Sequence, residues 1–290
     1  MEKHIFKFGG GSWAIVIPKA WVEKNGLDGK SSANMYEDDV GNIVLSAKNT
    51  AAKEAELLID STLSPEVAGR WVGLYYRNGT KKLNVYSKDE ATEKQFERIQ
   101  DLVGRIYPGF EVISRSRKAM VLEDFTDMTE VSSEKVMLRI RSLINEELGE
   151  MAQANASSIG KLEELVNRIF NLGIRYVNVV QGKEAVKYFK IFQLLETISD
   201  QLCELSKMPA MKRSKGIFEQ LGKEFELCFK GFGGDYKSME QALKVRDSVY
   251  KMIGKTSAFE TYLLTEIAKN MIKISEFGLE IKQKELVVES

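Results

Sequence analysis

Two carboxylates, Glu196 and Asp200, are the residues of this chain whose types and spacing first suggest chemistry. They lie four positions apart in a segment whose apolar residues recur at helical spacing: Leu194, Leu195, Ile198, Leu202 and Leu205. This spacing predicts a helix with one buried stripe and puts both carboxylates on one face, one turn apart. Like charges at that distance cost a few tenths of a kcal/mol unless a partner neutralises them.

A second helical segment upstream carries Glu163 and Asn167 at the same spacing. If the two helices pack antiparallel, four oxygen-bearing side chains meet at one point, and oxygen ligands suit hard or borderline cations. The pattern makes Glu163, Asn167, Glu196 and Asp200 candidate ligands of a divalent or ferric metal ion, although spacing alone favours a solvated charged face. Without a cation, the repulsion between the carboxylates should raise at least one pKa.

Composition excludes several other kinds of chemistry. His4 is the single histidine, which argues against His–Ser and His–Cys nucleophile pairs and predicts that the protein is not an enzyme. Cys203 and Cys228 lie in amphipathic patterns and are expected to be buried thiols. Basic and acidic residues number 42 each, so bulk charge does not indicate a nucleic-acid binder. With no signal-like segment and no long apolar run, we expect a cytoplasmic protein without membrane insertion.

Residues 1–48 predict a small β-rich unit. Alternating patterns indicate strands at 4–8, 12–17, 33–37 and 42–46, with a turn at 38–41, and Pro18 begins a short helix over 19–24. The dipeptide Asn25-Gly26 should end that helix. A unit of this size buries too little surface to be stable alone, so we expect it to form a homodimer.

The order of short motifs in this unit resembles the archaeal form of the AbrB-like (SpoVT/AbrB) swapped-hairpin domain. The motifs are Gly10-Gly11-Ser12, Ile17-Pro18-Lys19, Trp21-Val22, Gly26-Leu27 and Gly29. The resemblance implies a two-fold dimer that either binds DNA or serves only for dimerisation. Its candidate DNA contacts are Lys7, Ser12, Trp13, Lys19 and Lys24. No arginine precedes Arg70, whereas DNA binders of the family carry several, and this favours the dimerisation role.

Residues 52–127 predict an α/β sandwich. Strand patterns at 55–59, 82–86, 110–113 and 119–122 alternate with helical patterns at 65–77 and 92–107, which gives the order βαβαββ with helices on one face. Ser64-Pro65 marks the start of the first helix, and Asn78-Gly79 its end. Nothing in this segment indicates catalysis.

Residues 131–290 predict an all-α region. Six apolar patterns of helical period cover 132–155, 160–180, 184–207, 214–230, 238–253 and 257–284, with breaks at Gly182 and Pro209. Short connections favour antiparallel neighbours. The six helices contain a weak internal repeat of three plus three, because residues 194–202 align with 263–271 and residues 162–167 align with 246–251.

This arrangement resembles PhoU, the phosphate-uptake regulator, whose tandem three-helix bundles bind metal clusters through E/DxxxD pairs. The best match is Leu195-Glu-Thr-Ile-Ser-Asp200 against a family pattern close to LERxADH, with departures at Thr197 and Gln201. The whole chain is similar to archaeal AbrB–PhoU fusion proteins. The resemblance implies that Glu163, Asn167, Glu196 and Asp200 take metal-ligand positions, with the site weakened because Asn167 removes one charge.

The equivalent positions in the second bundle are Asp247, Lys251, Thr265 and Lys269. A lysine ammonium offers only donors and repels a cation, so no metal is expected there. We expect the second bundle to be closed instead by a salt bridge between Asp247 and the two lysines. A small anion such as phosphate is the alternative, which is disfavoured because two lysines lack the bidentate geometry that selects phosphate.

The sequence thus predicts an α+β multidomain protein with a swapped-hairpin domain at 1–48, a βαβαββ domain at 52–127 and two PhoU-like three-helix bundles at 131–290. Its predicted function is regulation of phosphate uptake or signalling by binding, with a phosphate transporter or signalling protein as partner. The alternative is an AbrB-type transcriptional regulator in which DNA is the partner and the helical bundles sense or dimerise.

Overall fold

The structure is a computed structural model that describes residues 4–37, 43–47, 54–89, 92–180, 185–208, 215–254 and 256–288. The chain divides into two compact units, Met1–Glu54 and Ala55–Ser290. The predicted α+β class is confirmed. The turn expected at 38–41 and the breaks expected at Gly182 and Pro209 lie outside the described residues.

The first unit consists of two hairpins and a short helix. Strand β1 (Ile5–Phe8) pairs antiparallel with β2 (Ser12–Ile15), and β3 (Ala33–Glu37) pairs antiparallel with β4 (Ile43–Ala47). Helix α1 (Lys19–Lys24) lies between them. It ends as predicted at Asn25, and Gly26 has a φ of 63°, a left-handed conformation that glycine adopts without steric cost.

None of the side chains whose burial the structure describes in the first unit is buried. Many of its large apolar residues are instead exposed: Ile5, Phe6, Phe8, Trp13, Ile15, Val16, Ile17, Met35 and Ile43. An isolated two-stranded hairpin is only marginally stable in water. Among its described side chains, the first unit therefore shows no hydrophobic core.

The second unit begins with a four-stranded sheet in the order β5-β6-β8-β7. The strands are β5 (Glu54–Ile59), β6 (Lys82–Ser87), β7 (Phe110–Arg115) and β8 (Ala119–Asp124), and β8 pairs antiparallel with both neighbours. Alternate strand residues such as Leu57, Leu83 and Leu122 form one core with α2 (Pro65–Arg77) and α3 (Glu93–Ile106). The predicted element order is therefore present in the structure.

Local signals explain the bounds of α2. Ser64 Oγ accepts a hydrogen bond from the backbone N–H of Val67 at 3.3 Å, and Pro65 occupies the first helical position. At the other end, Gly79 has a φ of 82°, and the N–H of Thr80 donates to the carbonyl of Tyr75 at 3.1 Å. The left-handed conformation of Gly79 turns the chain so that backbone N–H groups after the helix can donate to its last carbonyls.

Six long helices follow a 3₁₀ turn (Met128–Glu130). They are α4 (Ser133–Ala152), α5 (Ala156–Val180), α6 (Ala185–Ser206), α7 (Lys215–Phe232), α8 (Tyr236–Ile253) and α9 (Ala258–Val288). The bounds predicted for α5 and α8 were wrong, since both helices begin earlier. For α8 the reason is Asp235, whose carboxylate accepts hydrogen bonds from the backbone N–H groups of Lys237 and Ser238.

These helices pack as two trios on one continuous core. Helices α4, α5 and α6 contact one another and form the first trio; α7, α8 and α9 form the second, and α4–α7 and α6–α9 contacts join the two. Gly173 allows the close approach of α5, because a Cβ there would lie 2.7 Å from Val136 and 2.8 Å from Phe192. Within the described part of the chain, no helix has the length and apolar character needed to cross a membrane.

A buried ion pair fixes α5 against the sheet. Arg175 Nη2 lies 2.5 Å from Asp124 Oδ2, and both side chains are fully excluded from solvent. The same guanidinium donates to the carbonyls of Tyr76 and Thr80, and its Cζ lies 4.8 Å from the centre of the Tyr76 ring. Lys81 Nζ contacts Asp124 Oδ2 at 2.7 Å. Burial raises the pKa of Asp124, but hydrogen bonds from Lys81 and Thr126 and the Arg175 charge outweigh it and hold the pKa below its usual value.

Candidate functional site: an acidic cluster in the first helix trio

The first trio brings four carboxyl groups into electrostatic contact. Helix α4 supplies Glu147, α5 supplies Glu163, and α6 supplies Glu196 and Asp200; we call these four residues the acidic cluster. Glu163 and Asp200 interact with each other and with both remaining acids. Glu147 is fully buried, Glu163 and Glu196 are half-buried and Asp200 is exposed, so the cluster runs from the core of the trio to its surface.

Sequence reasoning missed Glu147, the most deeply buried member. Ser199 Oγ donates to Glu147 Oε1 at 2.6 Å, while Oε2 has no hydrogen-bond partner among the described residues. The signal was present in the sequence, because Glu147 occupies the apolar stripe of α4, which comprises Ile140, Leu143, Ile144, Glu147, Leu148 and Met151. A glutamate in such a stripe must be buried if the helix is to pack, and a buried carboxyl needs a partner or a proton.

The predicted residues Glu163, Asn167 and Asp200 lie next to one another in the structure. The amide nitrogen of Asn167 donates to Glu163 Oε1, and burial together with the electrostatic interaction with Asp200 raises the pKa of Glu163. The facing helices α5 and α6 therefore bring two of the predicted carboxyl groups and the predicted amide together.

Every carboxyl group of the cluster has a raised pKa. Burial raises the pKa of Glu147 to about 8, with the charges of Glu163 and Asp200 adding to the effect. Burial and the same two charges raise the pKa of Glu196 to about 7. The upward shift predicted from the sequence is confirmed, but its first cause is the loss of hydration between the helices, not mutual repulsion. Glu147 and Glu196 are therefore the members of the cluster expected to gain or lose a proton near neutral pH.

Two neighbouring residues, Lys207 and Cys203, interact electrostatically with the acidic cluster. Lys207, which pairs with Glu204 at 2.7 Å, lowers the pKa of Glu163 and of Asp200 through its charge. Burial raises the pKa of the free thiol of Cys203, and the charges of Glu163, Glu204 and Glu147 raise it further. The cysteine is thus a neutral neighbour of the cluster.

The donor types of the cluster suit a hard cation. Among the residues that the structure describes, no group of three or more His, Cys, Asp or Glu side chains is placed to hold a metal ion. A metal bound by Glu163, Asn167, Glu196 and Asp200 therefore stays a prediction.

The second trio also carries a buried acid, Glu224, that was not predicted from the sequence. Glu224 on α7 follows the same apolar pattern as Glu147 on α4, and it is fully buried with both carboxylate oxygens lacking a partner in the described part of the chain. Burial raises its pKa to about 8, and the charge of Arg246 partly opposes the shift. A salt bridge from Asp247 to Lys269 was wrongly predicted, since Lys269 pairs with Glu266 at 2.8 Å, one turn away on its own helix.

The candidate DNA contacts fall on two elements of the first unit. In the β1–β2 hairpin, Lys7 is the cross-strand partner of Trp13, and Ser12 is the neighbouring residue of β2. Lys19 and Lys24 lie on α1, where Lys19 Nζ is 3.5 Å from Glu23 Oε1. All five candidates are exposed. Comparisons of the chain with protein-family models, with curated proteins and with solved structures return no match.

Proposed function

We propose that this protein is a PhoU-like regulator of phosphate uptake or phosphate signalling that acts by binding. In this proposal the trios α4–α6 and α7–α9 correspond to the tandem bundles of PhoU, and the first unit corresponds to the AbrB-like swapped-hairpin domain. The support for the bundle assignment is the contact pattern, in which each trio is complete in itself and the two share one core.

The observation that carries the proposal is the acidic cluster. Four coupled carboxyl groups on three facing helices can exchange a ligand, at minimum protons, without any nucleophile. A change in their charge alters how closely α4, α5 and α6 pack, because buried charges cost far more free energy than buried neutral acids. The surface of the first trio then has two states with different affinity for a partner protein.

Phosphate uptake tests this function directly. Deleting the gene in the source organism should leave uptake of labelled phosphate high when external phosphate is abundant, since the restraint by the regulator is removed. The wild-type gene supplied on a plasmid should restore the restraint. Uptake in the deletion strain that still falls normally as phosphate rises would contradict the proposal.

We further propose that the first unit forms a homodimer by covering its exposed apolar residues with those of a second copy. The support is the number of large apolar side chains that are exposed among its described residues, because a second copy could cover them and form a shared core. The dimer would set the spacing of two helical surfaces.

Removal of residues 1–48 is expected to convert the dimer to a monomer with folded helices, which sedimentation velocity and helical circular dichroism measure together. In the full chain, Ile5→Asp with Ile15→Asp should also dissociate the dimer, because these residues face each other across the β1–β2 hairpin and are exposed. The matched control is Lys30→Asp in an exposed loop. A truncated protein that remains dimeric would show that the helices hold the contact.

DNA binding by the first unit is the second candidate function, favoured by the placement of Lys7 beside Trp13 and near Ser12 on one hairpin. If Lys7, Lys19 and Lys24 contact phosphates, replacing all three by glutamine should lower the salt slope of DNA affinity by about three. Fluorescence anisotropy at several salt concentrations measures the slope. A wild-type protein that binds no DNA even at low salt removes this candidate.

A further inference from the structure

A pocket of about 590 Å³ lies where the two trios meet. Its walls come from α5 and α6 of the first trio and from α9 of the second. The lining residues are Phe170, Lys190, Gln193, Leu194, Glu196, Thr197, Asn270, Lys273 and Phe277. This volume falls in the range of pockets that hold small organic ligands.

The positive charges of the pocket are not neutralised by carboxylates. Within the described residues, Lys190 has no ion-pair partner, and its Nζ lies 5.3 Å from the centre of the Phe277 ring. Lys273 Nζ contacts only the amide oxygen of Asn270, at 3.3 Å. Among the described residues, Glu196 is the one acid that lines the same pocket, so these residues leave it net positive even when Glu196 is ionised. Two unpaired ammonium groups in one concave site favour an anionic ligand.

The remaining lining residues indicate what the anion is attached to. Phe170, Leu194 and Phe277 make much of the wall apolar, and two of these side chains are aromatic rings. Aromatic faces stack with planar aromatic ligands, and the ammonium of Lys190 lies beside one of these rings. Inorganic phosphate alone would leave most of the volume filled by water and most of the apolar wall uncovered.

We propose that this pocket binds an aromatic phosphate of mononucleotide size, with its phosphate between Lys190 and Lys273 and its ring against Phe277. Gln193, Thr197 and Asn270 provide the polar atoms that can orient the remainder of the ligand. Such a ligand contacts both trios at once and so ties the arrangement of the two trios to ligand concentration. The proposal does not depend on a role in phosphate uptake.

Calorimetric titration of the full-length protein with AMP, GMP, CMP and UMP tests it, in low salt and with a chelator present so that no metal at the acidic cluster can bridge to phosphate. We expect at least one of the four to bind with a Kd below about 1 mM, and at least about tenfold more tightly than inorganic phosphate or its own nucleoside. The variant Lys190→Gln with Lys273→Gln should weaken that binding about tenfold or more. Phe277→Leu should weaken nucleotide binding while leaving any phosphate binding unchanged.

Lys269→Gln is the matched control, because this lysine lies one turn from Lys273 on α9, does not line the pocket and pairs with Glu266. It should leave the affinity within about twofold of wild type. The proposal is overturned if none of the four nucleotides binds at millimolar concentration, if the nucleoside binds as tightly as its nucleotide, or if Lys269→Gln loses as much affinity as the double variant.

Discussion

Replacing Arg175 by methionine is expected to lower the free energy of unfolding by about 3–5 kcal/mol, because it breaks a buried ion pair and leaves the other charge behind. Asp124 would keep Lys81 as its only cationic partner, and the carbonyls of Tyr76 and Thr80 would each lose a donor in the core. The methionine is long enough to fill much of the vacated space, so the loss reports mainly on polar partners and not on a cavity.

Urea unfolding followed by circular dichroism measures this loss as a shift of the midpoint at unchanged slope. Lys81→Met is the matched control. It removes the second cationic partner of Asp124, a lysine whose side chain is 40% exposed. We expect the control to cost roughly 1–2 kcal/mol, clearly less than Arg175→Met. Equal losses for the two variants would mean that Arg175 is not the principal anchor of α5 on the sheet.

Replacing Glu147 by glutamine is expected to stabilise the protein at alkaline pH by on the order of 2 kcal/mol, and to change stability little near pH 5. Burial raises the pKa of Glu147 to about 8, so the folded protein must either keep a proton there or bury a charge. Glutamine is neutral at every pH and its oxygen can still accept the hydrogen bond from Ser199.

The direction of this pH dependence follows from the proton balance. A glutamate with a pKa near 4.5 when unfolded and about 8 when folded gives the folded state the extra proton between these values. The contribution of Glu147 to the free energy of unfolding is therefore highest below about pH 4.5 and falls as pH rises to about 8. Glu196 acts in the same direction with its pKa of about 7, whereas the lowered pKa of Asp124 weakens the fold only under acidic conditions.

Urea unfolding at about pH 5 and about pH 9 distinguishes the two regimes. Glu146→Gln is the control, because it removes an exposed acid from the adjacent position of α4 and should have little effect at either pH. Glu224→Gln should resemble Glu147→Gln in direction, since burial also raises the pKa of Glu224 to about 8. A wild-type protein whose stability does not fall between these two pH values would contradict the raised pKa values.

Elements with strong local signals could be predicted from the sequence. Ser64-Pro65 and Asn78-Gly79 determine the ends of α2 through contacts within a few residues, and the spacing of Glu196 and Asp200 placed both on one face of α6. The start of α8 was missed although Asp235 is an ordinary capping residue, because the apolar period alone was used to locate it.

The rest of the site depended on contacts between elements distant in sequence. The alternation pattern predicted that β8 ends at residue 122, whereas the strand extends to Asp124. No local sequence signal indicates that Asp124 pairs with Arg175. The sequence signal for Glu147 is a single acid in an apolar stripe, which the i, i+4 spacing of carboxylate pairs does not reveal. How deeply a helix face is buried depends on its neighbours, so pKa shifts dominated by burial could not be derived from spacing.

Phosphate uptake in a strain that carries a neutral acidic cluster tests whether regulation passes through these carboxyl groups. The variant combines Glu147→Gln, Glu163→Gln, Glu196→Gln and Asp200→Asn, and its matched control neutralises four exposed acids, Glu130, Glu146, Glu219 and Glu240. We expect the control to restore the response of uptake to external phosphate in the deletion strain. The cluster variant should be folded and expressed but should leave uptake unresponsive, because its carboxyl groups can no longer change charge. A cluster variant that restores the normal response would show that regulation does not pass through these carboxyl groups.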